Sequence, residues 1–228
     1  MFSMCNVTVI EFFIENVERE EFEGKRILEV GSKYVNGSVR PLIERFLSPK
    51  EYMGVDIEPG KFVDLILPAE RLVEYFGPES FDVIIATELL EHVQDWRLVV
   101  RNFKEVLKCG GYIYVTTRSY GFPLHAYPYD FWRYEIEDMR RIFSDFEILK
   151  LVKDHEAPGI LLKARKPLNY SPNELQDIAL YSMILGRRTA SIPKPQEIPF
   201  SRKVKLLTFK VIYFVYSMTN RLLRFVAD

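Results

Sequence analysis

Short apolar runs alternate with amphipathic stretches along the first 166 residues, and no other feature of the sequence limits the fold as strongly. Several of the runs are almost continuously apolar, which is typical of strands buried on both faces of a parallel sheet. The stretches between them carry apolar residues at helical spacing. We therefore predict an α/β fold in which helices cover both faces of a doubly wound sheet. The predicted strands are 26–30, 52–56, 63–66, 81–86, 111–117, 146–152 and 160–164, and the predicted helices are 6–19, 39–46, 69–76 and 96–107.

The composition is that of an ordinary globular protein, with 48% hydrophobic and 28% charged residues in a chain of 228. Its two cysteines, Cys5 and Cys109, have no partner at metal-ligand spacing, and we expect a reducing, cytoplasmic setting. Glutamates crowd the first 25 residues, where an export signal would need an apolar stretch. The net charge of −1 gives no basic field of the kind that favours nucleic acid.

The segment after Lys166 differs in charge from the rest, because residues 1–166 have a net charge of −6 and residues 167–228 a net charge of +5. We therefore predict a main domain over 1–166 and a helical extension over 167–228. The sequence Ser171-Pro172-Asn173-Glu174 has the form of a capping box with proline at the first helical position, and it predicts a helix over about 172–185. A proline-rich linker follows, and then a basic and apolar segment that predicts an amphipathic helix over about 203–226.

Three uses of this last helix stay open: packing on its own domain, a homodimer contact, or peripheral contact with an anionic membrane surface. Its longest run without charges, 211–220, is too short to span a bilayer, which needs about 20 residues.

The first predicted strand leads into a loop that suits a bound cofactor. Gly31 follows the strand directly, and Gly37 lies near the start of the next helical stretch. Asp56 ends the second predicted strand, close to the spacing at which a carboxylate accepts hydrogen bonds from ribose hydroxyls. The alternative is that both glycines are ordinary turn residues.

Two kinds of cofactor suit this arrangement, and the loop distinguishes them. A dinucleotide needs a second glycine two residues after the first, so that the pyrophosphate can approach the backbone. Lys33 occupies that position, where its side chain is expected to obstruct. S-adenosylmethionine has no phosphate, and Glu29 would suit its ammonium and sulfonium charges. The sequence therefore favours S-adenosylmethionine over NAD.

Four motifs in order give a resemblance to a known family. They are Glu29-Val30-Gly31-Ser32 through Asn36-Gly37-Ser38, then Gly54-Val55-Asp56 with Pro59-Gly60, then 81–93, and finally Val106-Leu107-Lys108-Cys109-Gly110-Gly111, which is similar to an LKPGG turn. Over about residues 12–166 the chain resembles class I S-adenosylmethionine-dependent methyltransferases of the small-molecule, methyltransferase type 11-like branch. The resemblance implies a Rossmann-like sheet of seven strands with the last strand antiparallel.

The resemblance also implies positions for the cofactor. It places the loop residues near the methionine end, Asp56 on the ribose, Thr87 at the strand end facing the methionine, and the loop after the third strand on adenine. There Pro68 replaces the usual acidic residue, so Ala69 and Glu70 are the candidates. The cofactor-binding residues implied are Glu29, Gly31, Ser32, Gly37, Asp56, Ile57, Ala69, Glu70 and Thr87.

Two histidines follow predicted strands on the side where an acceptor would bind. His92 follows the fourth strand, and His125 lies in an aromatic loop that resembles the H-x-x-P-x-D-x-W-R segment of some family members. Either imidazole could accept a proton from a hydroxyl or amine. The candidate substrate-binding residues in this loop are Tyr127, Asp130, Trp132 and Arg133. Alternatively, His92 only supports its loop, and Asp130 and Arg133 form a structural ion pair.

A metal cluster of Glu88, Glu91 and His92 is not favoured, because adjacent residues point in different directions on a helix. We predict no metal site. The sequence thus indicates S-adenosylmethionine-dependent methyl transfer to a small-molecule or glycan- or lipid-linked acceptor. The alternatives are an NAD-type oxidoreductase and a non-catalytic module that binds S-adenosylmethionine. Nucleic acid is not an expected partner, because no N/D-P-P-Y/F string follows the fourth strand.

Overall fold

The computed structural model describes residues 7–35, 37–126, 128–201, 203–204 and 207–208. Ten strands lie in this part of the chain, and seven of them form one sheet. In chain order the strands are β1 (Arg26–Val30), β2 (Glu51–Asp56), β3 (Leu65–Ile66), β4 (Phe81–Thr87), β5 (Leu107–Arg118), β6 (Trp132–Arg133), β7 (Glu147–Lys153), β8 (Gly159–Arg165), β9 (Leu180–Ser182) and β10 (Arg187–Thr189).

The helices of the described residues pack mainly on the two faces of the large sheet. They are α1 (Val7–Asn16), α2 (Arg19–Phe22), α3 (Arg40–Phe46), α4 (Leu72–Phe76), α5 (Trp96–Val106) and α6 (Ile136–Ile142), with short 3₁₀ turns at Ala69–Arg71, Leu90–His92 and Pro195–Glu197. The longest, α5, begins where the Asp95 carboxylate accepts a hydrogen bond from the Leu98 N–H, which caps the helix.

The large sheet has the strand order β3-β2-β1-β4-β5-β8-β7. Strands β1 to β5 pair in parallel, whereas β8 runs antiparallel to both β5 and β7. This arrangement confirms the predicted doubly wound, seven-stranded sheet with its last strand reversed. Because β2 and β4 flank β1 and all three run the same way, their carboxyl ends lie side by side at one edge.

Each face of the sheet buries its own apolar cluster. One cluster packs α5 and α6 against the sheet and includes Trp96, Phe103 and Trp132. The other packs α1 and α3 against the opposite face, around Phe13 and Ile43. Burial on both faces explains why β4, with the sequence Phe-Asp-Val-Ile-Ile-Ala-Thr, is almost wholly apolar.

A second, smaller sheet corrects one prediction. The helix expected over 172–185 is absent from the described residues, and this stretch holds β9, which pairs with β6 and β10 in the order β10-β9-β6. The segment after Lys166 therefore folds back on the loop that follows β5. Three of its apolar side chains, those of Leu175, Ile178 and Leu180, are buried in the main core.

Arg97 gives the physical reason for this correction. Its guanidinium, on the buried face of α5, donates hydrogen bonds to the backbone carbonyls of Leu175 (2.9 Å), Ile178 (2.8 Å) and Ala190 (2.6 Å). An α-helix would need such carbonyls for its own i to i+4 bonds. Here they bind a buried cation instead, and tertiary contacts outweigh the local capping signal.

The amphipathic helix expected over 203–226 lies mostly outside the described residues. Homodimer or membrane contact through it therefore stays a prediction. Among the helices of the described residues, none has both the length and the apolar character needed to cross a membrane.

Replacing Arg97 with methionine should lower the free energy of unfolding by about 2 kcal/mol or more, because several buried carbonyls lose their donor. The matched control is Arg101→Met on the exposed side of the same helix, which should change stability by no more than about 0.5 kcal/mol. Urea unfolding of both variants checks this. Equal stability of the two variants would contradict the role given to Arg97.

Candidate cofactor and acceptor site

A cavity of about 140 Å³ opens at the edge of the sheet where β1, β2 and β4 end. This is the switch point of a doubly wound sheet, where ligands bind beyond the carboxyl ends of the strands. The cavity is smaller than a typical small-molecule site of about 300–1,000 Å³, so it encloses only part of such a ligand. It is lined by Val30, Gly31, Asp56, Ile57, Leu67, Ala69, Glu70, Leu89, His92, Val93 and Tyr129.

Gly31 allows β1 to turn into the cavity wall. Its φ angle is +78°, a conformation that side chains rarely adopt, and a Cβ atom would lie 3.1 Å from Leu89 Cδ1. A side chain here would therefore strain the backbone and push Leu89 toward the cavity.

The backbone amides of this loop are already engaged. The N–H groups of Gly31 and Ser32 donate to the Val55 carbonyl at 2.9 and 3.1 Å, and that of Lys33 donates to Asp56 Oδ2 at 3.1 Å. A pyrophosphate would need free amides at this point. The loop therefore suits a ligand that carries no phosphate.

The Lys33 side chain does not obstruct the cavity, contrary to the sequence-based expectation. It extends over Gly60, where a Cβ would lie 2.8 Å from its Cγ, and its Nζ pairs with Glu58 at 2.5 Å. The dinucleotide is disfavoured because the loop amides are occupied.

Asp56 ends β2 at the wall of the cavity. Its two carboxylate oxygens accept hydrogen bonds from the backbone N–H groups of Lys33 and Glu58, each at 3.1 Å. These bonds fix the orientation of the carboxylate and leave further lone pairs for a ligand. A fixed acceptor of this kind suits the two hydroxyls of a ribose.

The floor of the cavity comes from the turn after β3. The Ala69 carbonyl accepts a hydrogen bond from the buried Asn102 amide at 2.9 Å, which holds the turn against α5. Leu67 and Val93 supply apolar surface, and Ile57 and Glu70 complete the wall. The sequence prediction found Ile57, Ala69 and Glu70, but it missed Leu67, Leu89 and Val93, whose apolar side chains look like core residues in sequence.

Glu29 and Ser32 lie beneath the loop and do not line the cavity. Glu29 is buried and accepts a hydrogen bond from the Tyr52 hydroxyl at 3.0 Å. Burial raises the pKa of its carboxyl to about 7, although Tyr52 and Arg40 act to lower it. Glu29 is therefore no permanent negative charge for a ligand ammonium group. Ser32 is buried against Gly54, where a Cβ would lie 2.7 Å from the Ser32 Oγ.

Gly37 and Thr87 also lie outside the cavity lining. Gly37 lies three residues before α3, and that helix begins only at Arg40, nine residues after Gly31. Thr87 is half-buried at the end of β4, opposite Thr116 of β5.

A buried charged network beyond Thr87 was not predicted from the sequence. The Glu88 carboxylate pairs with the Arg118 guanidinium and accepts a hydrogen bond from the Thr116 hydroxyl at 2.8 Å. Arg118 also pairs with Asp154 at 3.3 Å. Burial and the nearby Glu91 raise the pKa of Glu88, while Arg118 lowers it. Glu88 has a φ angle of +54°, a conformation that is uncommon for residues other than glycine.

The two predicted histidines come together at the cavity. The ring centres of His92 and His125 lie 4.7 Å apart, with the rings edge to face. His92 lines the cavity, and its Nδ1 lies 2.5 Å from the carbonyl oxygen of Tyr129. Tyr129 also lines the cavity, whereas Tyr127, the tyrosine predicted from sequence, lies outside the described residues.

Asp130, Trp132 and Arg133 are buried and none of them lines the cavity, which agrees with the alternative that Asp130 and Arg133 form a structural ion pair. Arg133 is fully buried, and its guanidinium binds both oxygens of Asp130 at 2.5 and 2.8 Å. It also donates to the carbonyls of Phe122 and Pro123. Trp132 is buried and donates to the Gln94 carbonyl at 3.1 Å. With these donors satisfied inside the loop, the ion pair fixes its shape.

Glu91 approaches His92, although their adjacent positions in the sequence predicted that the two side chains would point in different directions. Glu91 Oε1 lies 4.0 Å from His92 Nε2, and candidate ligand atoms of Glu91, His92 and His125 all lie within 4.8 Å of one another. The expectation of divergence assumed an α-helix, but Leu90–His92 is a short 3₁₀ turn, and Thr117 holds the other Glu91 oxygen at 2.9 Å.

Comparison with known proteins assigns the sequence that forms this cavity to a family. A family model described as a methyltransferase domain matches residues 8–156. The ubiquinone biosynthesis O-methyltransferase of Vibrio atlanticus is 26% identical over 113 residues, which are 46% of this chain and 48% of that protein. The chain therefore matches about half the length of this curated relative.

Solved structures share the fold at low sequence identity. An S-adenosylmethionine-dependent methyltransferase from Mesorhizobium loti superposes with a TM-score of 0.55 at 15% identity, over 72% of this chain and all of that one. The [4+2]-cyclase SpnF superposes with a TM-score of 0.56 at 17% identity, over 71% of this chain and 81% of that one. At these identities the likeness concerns the fold alone.

The family match covers well over half of the chain and includes the strands that form the cavity. It confirms the resemblance found in the sequence, and with it S-adenosylmethionine as the expected cofactor. The chain belongs to the methyltransferase-domain family of class I S-adenosylmethionine-dependent enzymes.

Proposed function

We propose that this chain transfers the methyl group of S-adenosylmethionine to a hydroxyl or amine of an acceptor that is a small molecule or is linked to a glycan or lipid. The observation that carries the proposal is the cavity itself. One wall offers Gly31, Asp56 and Ala69, which suit a nucleoside without phosphate, and another offers the imidazole of His92.

S-adenosylmethionine supplies a methyl group that its sulfonium already activates. With this cofactor bound, an acceptor oxygen would form the new bond to the methyl carbon as the carbon–sulfur bond breaks, sulfur would keep the electron pair, and a histidine at the cavity would take the acceptor proton. The protein must align the two reactants and exclude water, and alignment can contribute roughly 7–11 kcal/mol to catalysis.

Asp56 is the residue that we assign to the ribose. Its carboxylate is held by two backbone N–H groups and faces the cavity. Ala69, Glu70 and Ile57 then surround the base, and Gly31 gives the backbone close access. Glu29, Ser32, Gly37 and Thr87 support the loop and the strand end without lining the cavity, so we assign them to positioning.

His92 and His125 are the groups that we assign to the acceptor. His125 Nδ1 lies 3.1 Å from Asp130 Oδ2, and Arg133 fixes Asp130 in turn. A carboxylate at Nδ1 orients the ring and selects the tautomer that leaves Nε2 as an acceptor. The hydrogen bond between His92 Nδ1 and the Tyr129 carbonyl has the same effect on His92. His125 can therefore take an acceptor proton through Nε2, whereas His92 Nε2 is buried beside Glu91 and His92 acts through its contact with the His125 ring.

A hydroxyl is the acceptor group that we favour. The Vibrio atlanticus relative is named as an O-methyltransferase, and a hydroxyl must lose its proton during methyl transfer, which gives the paired imidazoles a function. Neither the NAD-type oxidoreductase nor the non-catalytic module explains this pairing as well. The fold also occurs in a protein named as a cyclase, so an activity assay is needed.

The proposal is tested by incubating the purified chain with S-adenosylmethionine and a panel of phenols, catechols, sugars and amines, and measuring S-adenosylhomocysteine by mass spectrometry. Acceptor-dependent product supports it. Tight cofactor binding with no product across a broad panel would favour the non-catalytic module instead.

Asp56→Ala should weaken S-adenosylmethionine binding about 10- to 100-fold, because hydrogen bonds to a charged group contribute about 1.5–3 kcal/mol. Isothermal calorimetry measures the affinity. The control is Glu58→Ala, which removes an exposed carboxylate two residues away that points to Lys33, and its affinity should stay within about threefold of the wild type. Equal losses in the two variants would refute the ribose assignment.

His92→Gln should lower kcat for an identified acceptor by about 10²-fold or more, while the affinity for S-adenosylmethionine stays unchanged, because proton removal contributes about 10²–10⁴-fold. His155→Gln is the matched control, since His155 is exposed in the turn between β7 and β8 and pairs with Glu11 at 3.7 Å. Unchanged kcat in His92→Gln would remove His92 from the acceptor site.

The Asp130–Arg133 pair should make the free energy of unfolding of the chain depend on pH. Burial acts to raise the pKa of Asp130, but Arg133 and His125 outweigh it and lower the pKa to about 2. The unfolded value is about 3.9, so the stabilisation is complete well above pH 4 and is lost as the pH falls toward 2. It should be about 2–3 kcal/mol at pH 7, with about half lost by pH 3.

Urea unfolding of the wild type and Asp130→Asn at pH 7, 5, 4 and 3 measures this contribution. The difference in the free energy of unfolding between the wild type and Asp130→Asn should be smaller at pH 3 than at pH 7. Asp177→Asn, at an exposed position, should show no such difference. A gap that stays constant down to pH 3 would contradict the argument.

A further inference from the structure

Three side chains at the acceptor side of the cavity form a compact cluster of potential metal ligands. Glu91 and His92 come from the turn after β4, and His125 comes from the loop after β5. One candidate ligand atom from each lies within 4.8 Å of the other two. The cluster thus joins two loops that are separated by more than 30 residues in sequence.

The hydrogen bonds around the cluster leave one atom of each ligand for an ion. Thr117 binds one oxygen of Glu91 at 2.9 Å. The Nδ1 atoms of His92 and His125 face the Tyr129 carbonyl and the Asp130 carboxylate. When a histidine binds a metal through one ring nitrogen, the other ring nitrogen nearly always donates a hydrogen bond to a carbonyl or a carboxylate. Glu91 Oε1 and the two Nε2 atoms remain.

Two of these three atoms are buried without a partner. Neither Glu91 Oε1 nor His92 Nε2 has a hydrogen-bond partner among the described residues, and Glu91 is fully buried. A buried carboxylate oxygen without a donor is costly, by several kcal/mol for a charged group. Two such acceptors that face each other at 4.0 Å are explained by a cation between them.

The surrounding charges also favour a cation. Glu88, Glu91 and Asp154 are buried or nearly so, and Arg118 is the cation that pairs with Glu88 and Asp154. Asp130 is paired with Arg133. Glu91 therefore adds a negative charge to a region in which the guanidinium groups already have partners.

We propose that Glu91, His92 and His125 bind a divalent first-row transition metal, of the Zn²⁺ type. Two imidazoles and one carboxylate suit Zn²⁺, Co²⁺ or Fe²⁺, whereas Mg²⁺ and Ca²⁺ prefer oxygen ligands alone. Bonds of about 2.0–2.1 Å in a tetrahedron place ligand atoms about 3.3 Å apart. The candidate ligand atoms, all within 4.8 Å of one another, must therefore draw closer around the ion.

An ion with three protein ligands keeps a position for a water molecule or a substrate oxygen. Because His92 lines the cavity, this position faces the acceptor, and an ion there would lower the pKa of a bound hydroxyl. The two histidines would then act in proton removal as ligands. This role rests on the proposed methyl transfer, but metal binding itself does not, and it is measured separately.

The test uses the full chain after chelator treatment and titrates it with Co²⁺, followed by visible absorption, and with Zn²⁺, followed by calorimetry. We expect one ion per chain and an intense tetrahedral Co²⁺ spectrum without the near-ultraviolet band of a thiolate ligand. His125→Gln, on an accessible loop, should weaken Co²⁺ and Zn²⁺ binding at least 100-fold, and Glu91→Gln should do the same.

Two controls separate the site from adventitious binding. His155→Gln removes the exposed third histidine, and Cys109→Ser removes the thiol that the structure describes; both should bind the ions like the wild type. Circular dichroism tests whether Glu91→Gln is folded. If Glu91→Gln is not folded, the binding measured for His125→Gln decides the question alone. The proposal would be overturned if the wild type does not bind one ion per chain. It would also be overturned if folded His125→Gln binds the ions as tightly as the wild type. Loss of methyl transfer with normal ion binding would instead count against the proposed function.

Discussion

The candidate site depends on one constraint, the parallel pairing of β1 with β2 on one side and with β4 on the other. Parallel strands end at the same edge, so residues that follow three separate strands meet there although they are far apart in sequence. Gly31, Asp56 and His92 illustrate this. The backbone then completes the arrangement, because the loop after β1 donates its amides to Val55 and Asp56 and so fixes one strand end against the next.

Much of this could be predicted from local sequence signals. A strand buried on both faces has a continuous apolar run, a left-handed turn favours glycine, and a carboxylate at a strand end is conspicuous. These signals identified the sheet, Gly31 and Asp56. The sequence could not show that Glu29 is buried under the loop, since a carboxylate beside a glycine looks the same whether it faces a ligand or Tyr52.

The failures of prediction share a cause, which is long-range contact. The capping box at Ser171 is a sound local signal for a helix, yet Arg97 binds the carbonyls that this helix would use. Asp130 and Arg133 show the same limit, because the sequence left open whether they bind a substrate or form a structural ion pair. Their complete burial, which no local pattern reveals, makes them the support of the loop.

The segment after Lys166 links these two findings. By pairing β9 with β6, it holds the strand that contains Trp132 and Arg133. Arg133 fixes Asp130, Asp130 orients His125, and His125 faces His92 across 4.7 Å. The part of the chain that sequence analysis separated as an extension is thus continuous, through buried polar contacts, with the acceptor side of the site. A change in how that segment packs would therefore reach the histidines through the loop, whereas the Asp56 side of the cavity, built on β1 and β2, would not be affected.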